Sequence, residues 1–521
     1  MTLPVPWVFV LAVVGFGWAL WWVADQRREP SVPPRWPSAV LACLAVTGLA
    51  AYLTPGQLPL DRQRLDVHFW AQYYLGAKYT HEVSYTGLYD CINVADAEDG
   101  LREQVAGRRV TDLRTNHITG TQRILADPGS CTERFTSARW QEFRHDVRYF
   151  RSQVGQDDWE LILLNRGYDS PPLWTAEATL LANVSAAGDL QIGLLSLLDP
   201  LFLLAALLAV WRAFGWRTAA VSVLVLTTYW PAVQAVTGRT YLLWDWLAGV
   251  VGAVCLLKRE RPFLAGVALG YAACLRVFPG VLLAGPLLAA GWQLVRHHRI
   301  ERTWRRFLTA TLLTITVLTL ASLTLVGGTH AWNAFLDNLL KTQRTPFANL
   351  IGLPSVLRWR PHHGIGDLYQ SQATDPMAAW RDTLQHTDTT MRPLHALLAT
   401  AAFLLLARKI RDRPAWTVLT LGVTVLPAVT DLLGYYYVVL MILALLWHDH
   451  PTTAPRLLAL GALTHFIVLA PLPGMPVWND QHYNLISTAT LLTLTTLTLQ
   501  PTPNVRVQHR HQDTGHQGAV P

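Results

Sequence analysis

Apolar residues run along this chain in unbroken blocks, at 3–24, 36–54, 188–211, 217–236, 241–257, 263–276, 277–293, 306–327, 391–408, 415–430, 433–447, 455–472 and 483–499. A helix needs about 20 apolar residues to cross a hydrocarbon core of about 30 Å. The pattern predicts an all-α polytopic membrane protein, a helical bundle of about 13 transmembrane helices. The first 24 residues lack a basic leader and an Ala-x-Ala cleavage step, so they read as a retained helix and not as a signal peptide. The blocks divide the chain into N-terminal helices (1–54), a large first loop (55–187), a central helical region (188–327), a second loop (328–390), C-terminal helices (391–499) and a polar tail (500–521).

Charge sets the expected orientation. Basic runs sit between the blocks at Arg27-Arg28, Lys258-Arg259-Glu260-Arg261, Arg296 to Arg302 and Lys409 to Arg413. By the positive-inside rule these ends are cytoplasmic. The N-terminus and both long polar loops then lie outside, and the tail lies inside. Both flanks of 263–295 are basic, so this stretch is expected to enter and return as a hairpin. Pro279-Gly280 would break it and Arg276 would mark its outer tip.

Composition agrees. The chain of 521 residues is 51% hydrophobic and only 15% charged, and its 22 Trp, 16 Tyr and 15 Phe exclude a disordered polymer. The net charge of +7 sits beside apolar helices, which argues against nucleic acid as a partner and for the lipid bilayer. The first loop holds aromatics at helical spacing (Phe69, Trp70, Tyr73, Tyr74; Trp140, Phe143, Tyr149, Phe150), so helices are expected there. It also holds Cys91 and Cys131, which pair as a disulfide or stay free; Cys43, Cys255 and Cys274 fall in apolar blocks.

Ionisable residues at the membrane edge are the candidates for chemistry, because placing them there is costly. Asp66 opens an aromatic-rich helix and is either an N-cap or a general base, or both. Arg239 and Arg276 lie where positive charge is otherwise absent. They bind an anion such as phosphate, or they pair with Asp199 or Asp245. Tyr435-Tyr436-Tyr437 follows Asp431 at a turn, where tyrosine is commonly an interfacial anchor. The sequence contains no Walker A loop, no His-Glu-x-x-His and no Gly-x-Ser-x-Gly. His297-His298, His362-His363 and the tail histidines 509, 511 and 516 are poorly spaced for a metal, and no acidic cluster suggests one.

The order of these parts resembles the integral-membrane glycosyltransferases of the GT-C superfold. The nearest resemblance is to the polyprenol-phosphate-sugar-dependent group, glycosyltransferase family 87. It rests on Asp66, Tyr73-Tyr74, Gly76-Ala77 and Gly87-Leu88-Tyr89 in the first loop, and on Gly238-Arg239, where the family has Gly-Gln. It continues with Arg276 and Pro279 after Leu264-Ala265-Gly266, where the family has Lys. Asn349-Leu350-Ile351-Gly352 and Tyr435-Tyr436 complete it. The stretch 90–187 is longer than the family pattern. Trp140-Gln141-Glu142-Phe143 and Arg166-Gly167-Tyr168 look like an uncharacterised bacterial subgroup.

The resemblance implies a bacterial inner-membrane enzyme that moves a mannose-like hexose or a pentose from a polyprenyl-phosphate sugar to an outer glycan or glycolipid hydroxyl, with inversion. It implies Asp66 as base and Arg239 and Arg276 as phosphate ligands. His68, Tyr74, Lys78, Asn349 and Tyr435 are the further substrate contacts, and neither cofactor nor metal is expected. The competing expectations are a transporter or flippase of a lipid-linked or small substrate, and a non-catalytic scaffold.

Overall fold

The computed structural model describes residues 6–25, 36–52, 65–234, 240–361, 363–469 and 480–500. The protein is an all-α membrane protein. Its only sheet among the described residues is two small antiparallel ribbons, Arg109–Asp112 with His117–Gly120, and Leu350–Ile351 with Leu432–Leu433.

Each apolar block coincides with helix, but the helices differ in reach. Five are long and apolar enough to cross a bilayer: Trp7–Asp25, Asp189–Phe214, Phe278–His297, Arg302–Leu325 and Ala378–Lys409. Shorter apolar helices pack between them. Among these, Gly434–His448 has 15 residues wound as a 3-10 helix. At about 2.0 Å per residue it extends about 30 Å, so winding supplies the length that residue number does not. The Arg302–Leu325 helix leaves Leu312, Leu313, Val317 and Leu320 exposed, an apolar face suited to lipid.

The stretch 263–295 is divided as Pro262–Leu275, a 3-10 segment at Phe278–Leu283 and Ala284–His297, with the break at Arg276 and Val277. Its first arm lies against Arg302–Leu325 through Gly266 and Gly270. A Cβ on Gly266 would sit 2.2 Å from the Phe307 carbonyl oxygen, and one on Gly270 would sit 2.9 Å from that of Thr311. Small residues four apart let membrane helices approach this closely.

Residues 65–187 form a packed unit of short helices on one end of the bundle. Asp66 accepts a hydrogen bond from Phe69 N (3.1 Å) and so caps Val67–Lys78; Thr136 does the same for Ser137–Arg151. Cys91 and Cys131 are joined by a disulfide, and Cys43, Cys255 and Cys274 are free. Several buried charges here are paired. Lys78 lies 2.8 Å from both Asp146 and Glu142. Asp99 is partly buried, which raises its pKa, but Arg148, Arg144 and Arg151 outweigh that and hold it below the ordinary value. Asp96 binds Arg108 (2.8 Å), Arg151 and Trp159 Nε1 (2.9 Å).

Candidate functional site

Between this unit and the bundle lies a cavity of about 860 Å³. Its walls come from segments far apart in sequence: Asp169–Pro171, Arg276–Phe278, the Gly328–Arg344 helix with the turn after it, Arg358, the first half of Ala378–Lys409, and Val429–Leu433 with Tyr436. One side is apolar, with Val277, Phe278, Leu339, Leu340, Met391 and Leu432. Val277 is 55% exposed and Leu340 50%, so this side is open.

Asp169 is the carboxylate at the cavity wall that has no cation within ion-pair distance among the described residues. Its loop is held rigidly. Tyr168 O accepts from Asn338 Nδ2 (3.2 Å), Ser170 O from Tyr85 Oη (2.8 Å), and Pro171 O from Thr175 N (2.9 Å) at the start of Pro172–Ala182. The Tyr168 ring lies against Gly76, where a Cβ would meet it at 2.6 Å. Asp169 Oδ1 accepts a hydrogen bond from Tyr73 Oη at 2.7 Å, and the Tyr73 ring stacks on Phe69 (4.1 Å). Burial pushes the Asp169 carboxyl above its ordinary value. The Tyr73 hydrogen bond and the positive charges of Arg276, Lys341 and Arg166 oppose that rise without cancelling it. Burial likewise pushes Lys341 down to about 8. A carboxyl so placed is a better proton acceptor than one in water.

Arg276 enters the cavity from the end of Pro262–Leu275, where the chain turns extended before Pro279. Its guanidinium donates to Ser170 Oγ (3.4 Å), Leu275 O (3.1 Å) and Leu242 O (3.5 Å) and lies 5.0 Å from the Trp174 ring. Its Nε is buried and donates to nothing, and among the described residues it forms no ion pair. The sequence-level alternative of pairing with Asp199 or Asp245 is not what the side chains do. Asp199 accepts from Thr240 Oγ1 (2.7 Å), Leu243 N and Trp244 N, and Asp245 from Trp246 N (2.6 Å). Arg276 is therefore a buried cation at the cavity wall with no ion-pair partner among the described residues.

Further charged residues line the cavity. Arg358 binds Asp388 (3.1 Å) and Asp431, Arg392 lies 3.6 Å from Asp388, and Arg344 is exposed. His395 Nε2 lies 2.9 Å from Ala428 O. Sequence reasoning did not single out Asp169, Arg358, Arg392 or His395. The one available signal for Asp169 was its place between Arg166-Gly167-Tyr168 and the Pro171-Pro172 helix start.

Of the residues proposed from sequence, Arg276 lines the cavity and Tyr435 adjoins it, its ring 4.6 Å from that of Tyr436. The other described ones lie away from the cavity lining. Asp66 is a helix cap and His68 is its half-buried neighbour; neither lines the cavity. Tyr74 is fully buried and donates to Ala182 O (3.1 Å). Lys78 is consumed by Asp146, Glu142 and Ser185 O. Asn349 accepts from Gly434 N through its backbone carbonyl (3.1 Å), beside the Leu350–Ile351 ribbon. Arg239 lies outside the described residues. Also among the described residues, no three His, Cys, Asp or Glu side chains gather as a metal site.

The fold and the site thus define an all-α membrane protein with a cavity of mixed apolar and charged lining beside a disulfide-bonded unit. No protein family, curated protein or solved structure matches the chain.

Proposed function

We propose that this chain is an integral-membrane glycosyltransferase of GT-C type. It transfers a sugar from a polyprenyl-phosphate donor to a glycan or glycolipid hydroxyl outside a bacterial inner membrane. In this reading about 13 helices cross the bilayer, the N-terminus and the cavity are outside, and the tail is cytoplasmic. One observation carries the proposal: among the described residues the cavity joins exposed apolar residues, an arginine without an ion-pair partner and a half-buried carboxylate without one. A lipid-linked phosphosugar and its acceptor need those three things together.

The isoprenoid chain lies along Val277 and Leu340, and Arg276 binds the phosphate. A guanidinium fork matches two phosphate oxygens. Asp169 takes the proton of the acceptor hydroxyl as its oxygen bonds to the anomeric carbon. The anomeric carbon–oxygen bond on the opposite face breaks, its electrons leave with the polyprenyl phosphate, and Arg276 stabilises that charge. Attack from the face opposite the leaving group inverts the centre. The base is thereby reassigned from Asp66 to Asp169. Asp66 keeps a positioning role, because it caps the helix that carries Tyr73.

The test is transfer by purified protein in detergent, with a panel of labelled polyprenyl-phosphate sugars and mixed glycan acceptors. Release of polyprenyl phosphate by wild type and not by Asp169→Asn is the expected result. If no donor is turned over but labelled donor crosses proteoliposomes holding the protein, the chain is a flippase and the proposal fails.

A further inference from the structure

At the end of the bundle remote from the cavity, three cations converge from three segments. Lys409 ends the long Ala378–Lys409 helix, Arg413 lies in the connection after it, and Arg456 lies in the first turn of Thr453–Leu469. Lys409 Nζ donates to Gln500 O and feels the charges of both arginines. Placing like charges together is unfavourable without a counter-charge. Among the described residues none of the three forms an ion pair. Among the described residues the nearby Asp449 reaches ion-pair distance of His448 (3.9 Å), and its charge acts on Arg413 only from beyond that distance. Arg413 Nη2 and Arg456 Nη1 are buried and donate to nothing, and so is Gln500 Nε2. Buried N–H groups of charged side chains are costly to leave unmade. The tail from 501 to 521 adds one carboxylate side chain, Asp513, against Arg506 and Arg510, so it brings no surplus of negative charge.

Two guanidiniums and an ammonium with spare donors suit a tetrahedral oxyanion. The helix leading to Lys409 exposes Leu397 and Leu404, which places acyl chains alongside it. We propose that Lys409, Arg413 and Arg456 form a phosphate site at this end of the bundle, filled by the headgroup of an anionic membrane lipid. The proposal uses no part of the cavity and stands whether or not the chain is a transferase.

The full chain, purified in detergent and delipidated, is titrated with phosphatidylglycerol, phosphatidylcholine or inorganic phosphate and read by native mass spectrometry. Wild type is expected to bind phosphatidylglycerol at least about tenfold better than phosphatidylcholine. Arg413→Gln with Arg456→Gln is expected to weaken it about 30-fold, the loss of two charges near a headgroup. The exposed Arg296→Gln with Arg299→Gln is expected to leave it unchanged. Arg413→Lys with Arg456→Lys, which keeps the charge, is expected to recover most of the binding. Equal binding of the two lipids by wild type overturns the proposal, as does an equal loss in the Arg296 and Arg299 variant. Phosphate that binds alone and displaces phosphatidylglycerol at comparable concentration assigns the site to a free anion and overturns the lipid.

Discussion

Asp169→Asn is the sharpest perturbation available, because it separates activity from stability in opposite directions. The amide oxygen still accepts from Tyr73 Oη, so the 2.7 Å contact and the locked loop persist. What disappears is the proton acceptor. General-base catalysis contributes about 10²–10⁴ in rate, or about 3–5 kcal/mol of barrier, and the variant is expected to lose that much kcat. Stability moves the other way. Burial holds the folded carboxyl above its ordinary value of 3.8. A group with a raised folded pKa stabilises the fold fully below its unfolded value and loses that contribution as pH rises through the folded value. Ionised Asp169 therefore weakens the fold at the pH where it can act as base, and Asn removes that penalty. The melting temperature of the variant is expected to exceed that of wild type at pH 8, with the gap closing towards pH 4.

The acid limb of the wild-type pH–rate profile reports the same group. Tyr73→Phe removes a hydrogen bond to the charged form, worth about 1.5–3 kcal/mol, and moves that limb up by about 1–2 pH units. The assay is initial rate of polyprenyl phosphate release from pH 4 to 9, beside melting curves in the same buffers. An Asp169→Asn protein with activity within threefold of wild type, or one less stable at pH 8, refutes the assignment.

Arg276→Gln is expected to lower kcat about 10–100-fold, the loss of a charge-assisted hydrogen bond to the leaving phosphate; Arg276→Lys is expected to recover part of it, read from steady-state kinetics. Cys91→Ser with Cys131→Ser opens a loop of 40 residues and is expected to cost about 4 kcal/mol by loop entropy; chemical unfolding of the two forms measures it, and an unchanged midpoint contradicts it. Lys78→Met leaves the buried Asp146 carboxylate with Tyr79 Oη and Ala187 N but no cation and is expected to destabilise by about 3–5 kcal/mol, read from chemical unfolding. If Lys78 instead contacts substrate, Lys78→Met raises KM at unchanged stability.

The helices were legible because lipid imposes a simple condition: backbone polar groups must be bonded within the segment, so spans are long apolar helices. Hydropathy fails where that condition stops applying. The block at 391–408 is only the apolar half of Ala378–Lys409. The first half is helical but polar, and from Leu384 to His395 it contributes to the cavity wall. The block at 433–447 reads as a short span because residue counting assumes α winding, whereas the segment is 3-10. Arg276 was legible for the complementary reason: a cation that breaks the positive-inside pattern stands out against apolar sequence. Asp169 did not, since a carboxylate in a polar loop is the default. Only the tertiary fold sets it between Tyr73 and Arg276 in a buried wall.

Asp66 and Asp169 are linked, and the link decides how variants of Asp66 are to be read. Asp66 caps Val67–Lys78. Tyr73 lies seven residues beyond it, about two turns along the same helix, and holds Asp169. Asp66→Ala removes the cap at a cost of about 1 kcal/mol and loosens the helix that positions the base. A fall in activity in that variant therefore does not identify Asp66 as the proton acceptor. Asp66→Asn discriminates, because asparagine caps as well as aspartate but cannot take a proton. If Asp66 positions and Asp169 reacts, Asp66→Asn keeps activity within about threefold, the scale of a small change in cap strength. Under the same reading Asp66→Ala loses part of its activity together with stability, and the acid limb of the pH profile stays in place. Abolished activity in Asp66→Asn at unchanged melting temperature returns the base to Asp66 and removes Asp169 from the chemistry.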